Sequence, residues 1–142
     1  MFKTYSFEDV TVSCSHPSVG TASSTGAGMG SISITKANDD TVHDVAADGV
    51  VMVSKIAGKN GTVALTMQQT SDFHKWLQKW YNYVKTASAS EWATMNITIK
   101  SSNLGDITTC TGVSPQKQAD RGYEAQGKSV TWNLMAAEIT ES

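Results

Sequence analysis

VVMVSKIAGKNGTVALTMQQ, residues Val50 to Gln69, is the stretch whose pattern decides the fold. Its first part, Val50 to Ile56, is rich in β-branched residues. Its last part alternates strictly, with Val63, Leu65 and Met67 on one face and Thr62, Ala64 and Thr66 on the other. Successive side chains of a strand point to opposite faces, so this part reads as a strand with one face in a core. Between the two, Gly58-Lys59-Asn60-Gly61 contains Asn-Gly, a pair that favours the tight turns joining antiparallel strands. The expectation is one β-hairpin from Val50 to Gln69.

Directly afterwards the period changes from two to about 3.6. In SDFHKWLQKWYNYVK (Ser71 to Lys85), Phe73, Trp76, Leu77, Trp80, Tyr81 and Val84 recur three or four residues apart on one stripe. His74, Lys75, Gln78, Lys79 and Asn82 lie off that stripe, which predicts an exposed His74. Thr70 or Ser71 supplies an N-cap, Asp72 sits in the first turn and Lys85 in the last, each at the end that suits it. An aromatic stripe of this width must be covered, and a helix laid across a small sheet covers it.

Upstream, SISITK (Ser31 to Lys36) sets Ile32 and Ile34 against serine and threonine, a half-buried strand. Ala37 to Gly49, with Asn38, Asp39, Asp40, Asp44 and Asp48, reads as a polar, acidic connection, and the glycine-rich Ser15 to Gly30 as a loop. Tyr5 and Phe7 on one parity and Val10 and Val12 on the other suggest an opening strand broken at Glu8-Asp9. Downstream, a Ser/Ala linker (Ala87 to Ser90) leads to a strand, Thr94 to Ser102, with Met95, Ile97 and Ile99 on one face. A turn at Asn103 to Asp106, a short strand at Ile107 to Val113 and a charged loop at Pro115 to Gly127 follow. Ser129 to Ile139 closes the pattern with Val130, Trp132, Leu134 and Ala136 on one face. No internal repeat is present. The chain reads as one mainly β domain, 1–142, with a single amphipathic helix, and 142 residues suffice for a core without a metal or disulfide staple.

Composition narrows the function. Charged residues make up 17%, below the roughly 25% of an average soluble domain. A net charge of -2 with scattered lysines and a single arginine, Arg121, argues against a nucleic-acid-binding stripe. Phe2 to Asp9 lacks the apolar stretch of a signal peptide, and no apolar run approaches a membrane span; the expectation is a chain made and folded in a cytoplasm. Cys14 and Cys110 are expected as free thiols in such a compartment.

The chemical constellations are weak. Cys14 and His16 with His43, His74 and Cys110 lack the paired spacing of zinc ligands. GAGMG (Gly26 to Gly30) lacks both the dinucleotide fingerprint and the Walker lysine, and a strand pattern follows it. The acidic connection lacks the central glycine and final glutamate of an EF-hand. No nucleophile elbow or H-E-x-x-H occurs, and the adjacent pairs Glu8-Asp9 and Asp39-Asp40 give no spacing for a glycosidase. No catalytic residue, cofactor or metal is expected. Trp92 and Trp132 leave open a carbohydrate-binding β-sandwich.

Three stretches carry a resemblance that spans nearly the whole chain in order. They are Tyr5-Ser6-Phe7-Glu8-Asp9-Val10, Ala47-Asp48-Gly49 leading into Val53-Ser54-Lys55, and Gly61-Thr62-Val63 through Gln69-Thr70-Ser71. With the aromatic helix and the closing TWNLMAAEI, they resemble the tail tube proteins of contractile-tailed bacteriophages. The resemblance fades over Ser13 to Gly26. It implies a β-sandwich or barrel-like core flanked by one helix, related in architecture to the tube of type VI secretion systems. It also implies a homohexameric ring in a virion tail tube assembled in the bacterial cytoplasm. The implied partners are copies of the chain itself, the tail sheath, baseplate and tail-terminator proteins, and tape measure protein and DNA inside the lumen, with no membrane. On that footing Thr62, Ala64 and Thr66 are candidates to line the channel. Asn38, Asp39, Asp40, Asp44 and Asp48 are candidates for the contact between rings. A tube subunit of a phage-like injection particle is the neighbouring alternative.

Overall fold

The computed structural model describes residue 2, residues 4–25 and residues 29–142. The strands are β1 (Val10–His16), β2 (Gly20–Thr25), β3 (Met29–Lys36), β4 (Thr41–Val45), β5 (Val51–Lys55), β6 (Gly61–Gln68), β7 (Met95–Ser101), β8 (Asp106–Pro115) and β9 (Ser129–Glu141). One helix, α1 (Asp72–Thr86), lies between β6 and β7. Seven strands form an antiparallel sheet in the order β2-β1-β7-β8-β9-β6-β3, and β4 and β5 form a separate pair.

The sheet is curled into an open barrel, and the chain connectivity requires it. Its two edge strands, β2 and β3, end and begin at Thr25 and Met29, four positions apart, a distance the chain spans in at most about 14 Å. The edges therefore belong to one segment that pairs first with β1 and then with β6. Inside lies the core: Val12, Cys14, Val63, Leu65, Met67, Met95, Ile97, Trp132 and Leu134 are fully buried. The alternation of Val63, Leu65 and Met67 thus places them inward, with Thr62, Ala64 and Thr66 half-buried on the outer face.

The helix closes the open side. Ser71 is its N-cap, its hydroxyl accepting from the Phe73 N–H at 3.2 Å. Phe73, Leu77, Trp80 and Val84 are buried beneath it, and Trp76 and Tyr81 flank them half-buried. Each such side chain contributes about 1.5–3 kcal/mol when taken out of water.

Several expectations from the sequence are corrected. Val51–Lys55 and Gly61–Gln68 are both strands, but they do not pair with each other: β5 pairs with β4, and β6 lies between β3 and β9. The reason is visible at Gly61, which has no positive φ and is not a turn residue. A Cβ there would lie 2.7 Å from the Ile139 Cδ1 and against the Thr35 carbonyl, so this glycine permits close strand packing. The tight turn is at Ala46–Gly49 instead. Gly49 has φ 88°, its N–H donates to the Ala46 carbonyl at 2.9 Å, and Ala46 N–H donates to the Val50 carbonyl at 2.8 Å. The acidic connection accordingly contains a strand, β4.

The described residues of Ser15 to Gly30 are mostly strand, not loop. β1 runs on to His16, and a short turn returns it as β2, with His16 opposite Gly20. Part of the GAGMG run lies outside the described residues. The break at Glu8-Asp9 is a single 3-10 turn, Phe7–Asp9, before β1, and the Ser/Ala linker ends in another, Ala89–Glu91.

Candidate functional site

The β4–β5 ribbon forms no ladder with the barrel. It is tied at its root by the Ile56 N–H donating to the Asp40 carbonyl at 2.9 Å and by Asn38 Nδ2 donating to Asn60 Oδ1 at 3.0 Å. Its register places Val45, Val51 and Val53 on one face and Val42 and Met52 on the other. Val42, Val45, Val50, Val51, Met52 and Val53 are each between 46% and 64% exposed. Water is a poor solvent for both faces of this ribbon. Asp39, Asp40, Asp44 and Asp48 line the same element, all exposed, and among the described residues none forms an ion pair. Sequence reasoning singled out these aspartates and missed the valines. The available signal was Val50-Val51-Met52-Val53, four apolar residues in a row that put apolar groups on both faces.

Thr62, Ala64 and Thr66 fall in a second surface. Outward-facing residues of β3, β6 and β9 line up in the rows Ser31–Thr66–Thr131, Ser33–Ala64–Asn133 and Thr35–Thr62–Met135. No charged residue interrupts them, and Thr66 and Thr131 share a hydroxyl hydrogen bond of 3.0 Å. A further hydroxyl row, Ser23–Ser13–Thr98–Thr109–Thr140, crosses the rest of the sheet. Of the helix stripe, Phe73, Leu77, Trp80 and Val84 are buried in the core, and Trp76 and Tyr81 pack half-buried against it.

The polar side chains in the interior are structural. Burial places His74 beside Trp132, whose indole N–H donates to His74 Nδ1 at 3.0 Å. This corrects the expectation of an exposed histidine: an indole N–H is a donor only, and the buried Trp132 needs an acceptor. Burial, with Arg121 nearby, lowers the His74 pKa and keeps the ring neutral for that role. At the other end of α1, the Glu91 carboxylate accepts from Ser18 Oγ at 2.7 Å and Tyr83 Oη at 2.8 Å, bonds that hold its pKa down. His16 accepts from the Ser18 N–H at 3.1 Å, leaving Nε2 to donate to Thr94 Oγ1 at 2.8 Å. Serine, histidine and glutamate therefore meet here, but the Ser18 hydroxyl serves Glu91, not His16, and no nucleophile–base pair results.

Cys14 and Cys110 are buried, free and separated by β7, each opposite Ile97, which puts their Cα atoms beyond the reach of a disulfide. Burial pushes both thiols up, Cys110 to about 11 with the Glu141 carboxylate adding to it. Among the described residues no three His, Cys, Asp or Glu side chains converge on a metal-sized site. Trp132 is fully buried and Trp92 lies under the Lys85 ammonium, 5.7 Å from its ring centre, so the pair forms no sugar platform.

The open antiparallel barrel with one flanking helix is a fold found in solved structures of contractile injection systems. The chain superposes on a subunit of the tube-terminating cap of the anti-feeding prophage with a TM-score of 0.64 at 11% identity, over 100% of this chain and 92% of that one. It matches a subunit of the sheath/tube terminator of an extracellular contractile injection system, PVC, with a TM-score of 0.64 at 12% identity, over 98% and 96% of the two chains. A subunit of the PVC sheath–tube complex in its extended state gives 0.63 at 13% identity, over 98% and 91%. No curated protein sequence matches the chain. Over residues 2–142 the sequence matches the family described as Bacteriophage PhiTE tail tube protein, and the chain belongs to that family. It is a structural tube subunit.

Proposed function

We propose that this single-domain chain forms hexameric rings that stack into the inner tube of a contractile tail and that genome passes through the tube. The observation that carries the proposal is the β4–β5 ribbon, apolar and exposed on both faces. An isolated two-stranded ribbon is marginal in water, so one that projects from a well-packed barrel is built to be covered on both sides. A copy of the chain in the next ring supplies that cover, with Asn38, Asp39, Asp40, Asp44 and Asp48 in the same contact. The free edges of β2 and β3 pair around the ring, where symmetry closes them and removes the hazard of open strand edges. The outer face with Thr62, Ala64 and Thr66 then lines the lumen, and DNA slides along its uncharged rows, the bordering Lys117 being paired with Asp120. Sheath, baseplate, terminator and tape measure proteins complete the tail of the virion, and the chain performs no chemistry.

Electron microscopy of the purified protein across a concentration series tests this. Six-fold rings and hollow filaments are expected; a monomer at every concentration, with and without baseplate components, overturns it. Lysine at Thr62, Ala64 and Thr66 should leave tubes intact and slow genome ejection, and unchanged ejection would remove these residues from the lumen. The injection-system neighbours favour one other setting, a phage-like particle that carries no genome, which absence of DNA from purified particles would identify.

A further inference from the structure

The two ends of the barrel are unlike in charge. The strand registers bring the start of β1, the end of β7, the start of β8 and the end of β9 to one end, where Val10 meets Ser101 and Thr108 meets Glu141. The β4–β5 ribbon leaves from that end, since Lys36 pairs with Gly61 and the Ile139 N–H donates to the Lys59 carbonyl at 2.9 Å. Its aspartates therefore join Asp106 and Glu141 there, and the carboxylates outnumber Lys36, Lys55, Lys59 and Lys100 of the same end. The opposite end collects the start of α1, the end of β6 and the loop between β8 and β9.

That opposite end holds a cleft of about 400 Å³ whose walls include His74, Lys75, Gln78, Arg121 and Tyr123. Its loop wall is fastened to the body by Gln69 Nε2 donating to the Gly122 carbonyl at 3.1 Å and by Gln118 Nε2 donating to Gln78 Oε1 at 3.0 Å. Among the described residues neither Lys75 nor Arg121 has a carboxylate within ion-pair distance. Lys117 and Lys128, by contrast, are occupied by Asp120 and Glu124. Tyr123, 82% exposed, adds an apolar wall beside the two cations.

We infer that the cleft at Lys75, Arg121 and Tyr123 of one copy receives the β4–β5 ribbon of a copy in the next ring, a head-to-tail contact that makes the two ends of the tube unlike. The inference rests on the stacking proposed above and names its receptor. Four unpaired aspartates against the single Lys55 give the ribbon region a net negative charge that matches the unpaired cations beside an exposed tyrosine, and the matching pieces sit at opposite ends of one molecule. Complementarity of this kind generates a head-to-tail, propagating contact, whereas two identical ends would meet acid to acid or base to base.

A charge swap tests it. Asp44→Lys with Asp48→Lys reverses the ribbon, and Lys75→Glu with Arg121→Glu reverses the cleft. All four residues are exposed, and unchanged thermal melting of the monomers checks that each chain still folds. Each variant alone should yield about tenfold less sedimentable tube than the parent, or lower still. An equimolar mixture should recover it, because each ribbon then finds a cleft of opposite charge in alternating rings. Parent tubes with variants that assemble equally well, or a mixture that fails to recover, would overturn the ribbon-to-cleft pairing alone. A parent that forms neither rings nor tubes would overturn the stacking itself.

Discussion

The barrel and the ribbon are made from similar residues and are in opposite situations. Val63, Leu65 and Met67 on β6 are fully buried within their own chain, while Val51, Met52 and Val53 on β5, a few positions earlier, are about half exposed or more. Strand-forming composition is common to both. What differs is neighbours: β6 has a strand on each side and α1 against its inner face, and β5 has only β4. On the function proposed above, the apolar residues that their own chain leaves uncovered are the part of the molecule reserved for other copies.

The sharpest division comes from stability. Trp132→Ala, which empties the centre of the barrel and deprives His74 of its donor, should cost about 3–5 kcal/mol in denaturant unfolding. A loss under about 1 kcal/mol would break the claim that the barrel folds on its own core. Gly61→Ala should come next, at about 1–3 kcal/mol, because the added methyl meets Ile139 Cδ1 and backbone of β3. Acidification should act on the barrel as well. His74 has its pKa lowered by folding, so the unfolded chain takes up the proton first. Stability is then full above the ordinary histidine value near pH 6.5 and falls as pH drops from there through the lowered folded value. Glu91, also lowered, adds a second loss below the ordinary carboxylate range. His74→Gln keeps an acceptor for Trp132 and should flatten the first part of that slope. Smallest of all for the monomer is Val45→Asp with Val53→Asp in the ribbon, expected to shift unfolding by less than about 0.5 kcal/mol while abolishing tubes. A large loss of monomer stability there would show that the barrel uses the ribbon after all.

The same contrast explains what could be read from the sequence. The helix was legible because its stripe and its Ser71 cap are local, and the inward faces of β6, β7 and β9 because alternation is local too. Strand partnership is not. The chain offers two turn pairs around β5, Asp48-Gly49 and Asn60-Gly61, and both satisfy hairpin chemistry. The first makes the hairpin; the second is a contact with β3 and Ile139, residues distant in sequence. His74 was placed on the solvent side by its helical angle and is buried against Trp132, 58 positions later, whose indole N–H it accepts. Of the candidate surfaces, the aspartates and the Thr62, Ala64 and Thr66 face were legible as polar positions. The cleft at Lys75 and Arg121 was not, since it exists only where α1 meets the β8–β9 loop.

β9 runs between β8 and β6 and is the strand that joins the two halves of the sheet. It follows every other strand in the chain, so a ribosome has released the ribbon and both sheet edges before it delivers residues 129–141. Until then β6 and β8 each lack a neighbour, and the barrel cannot close. On the assembly proposed above, copies emerging side by side on a polysome hold their adhesive parts on an unfinished body, and competence to polymerise arrives with β9.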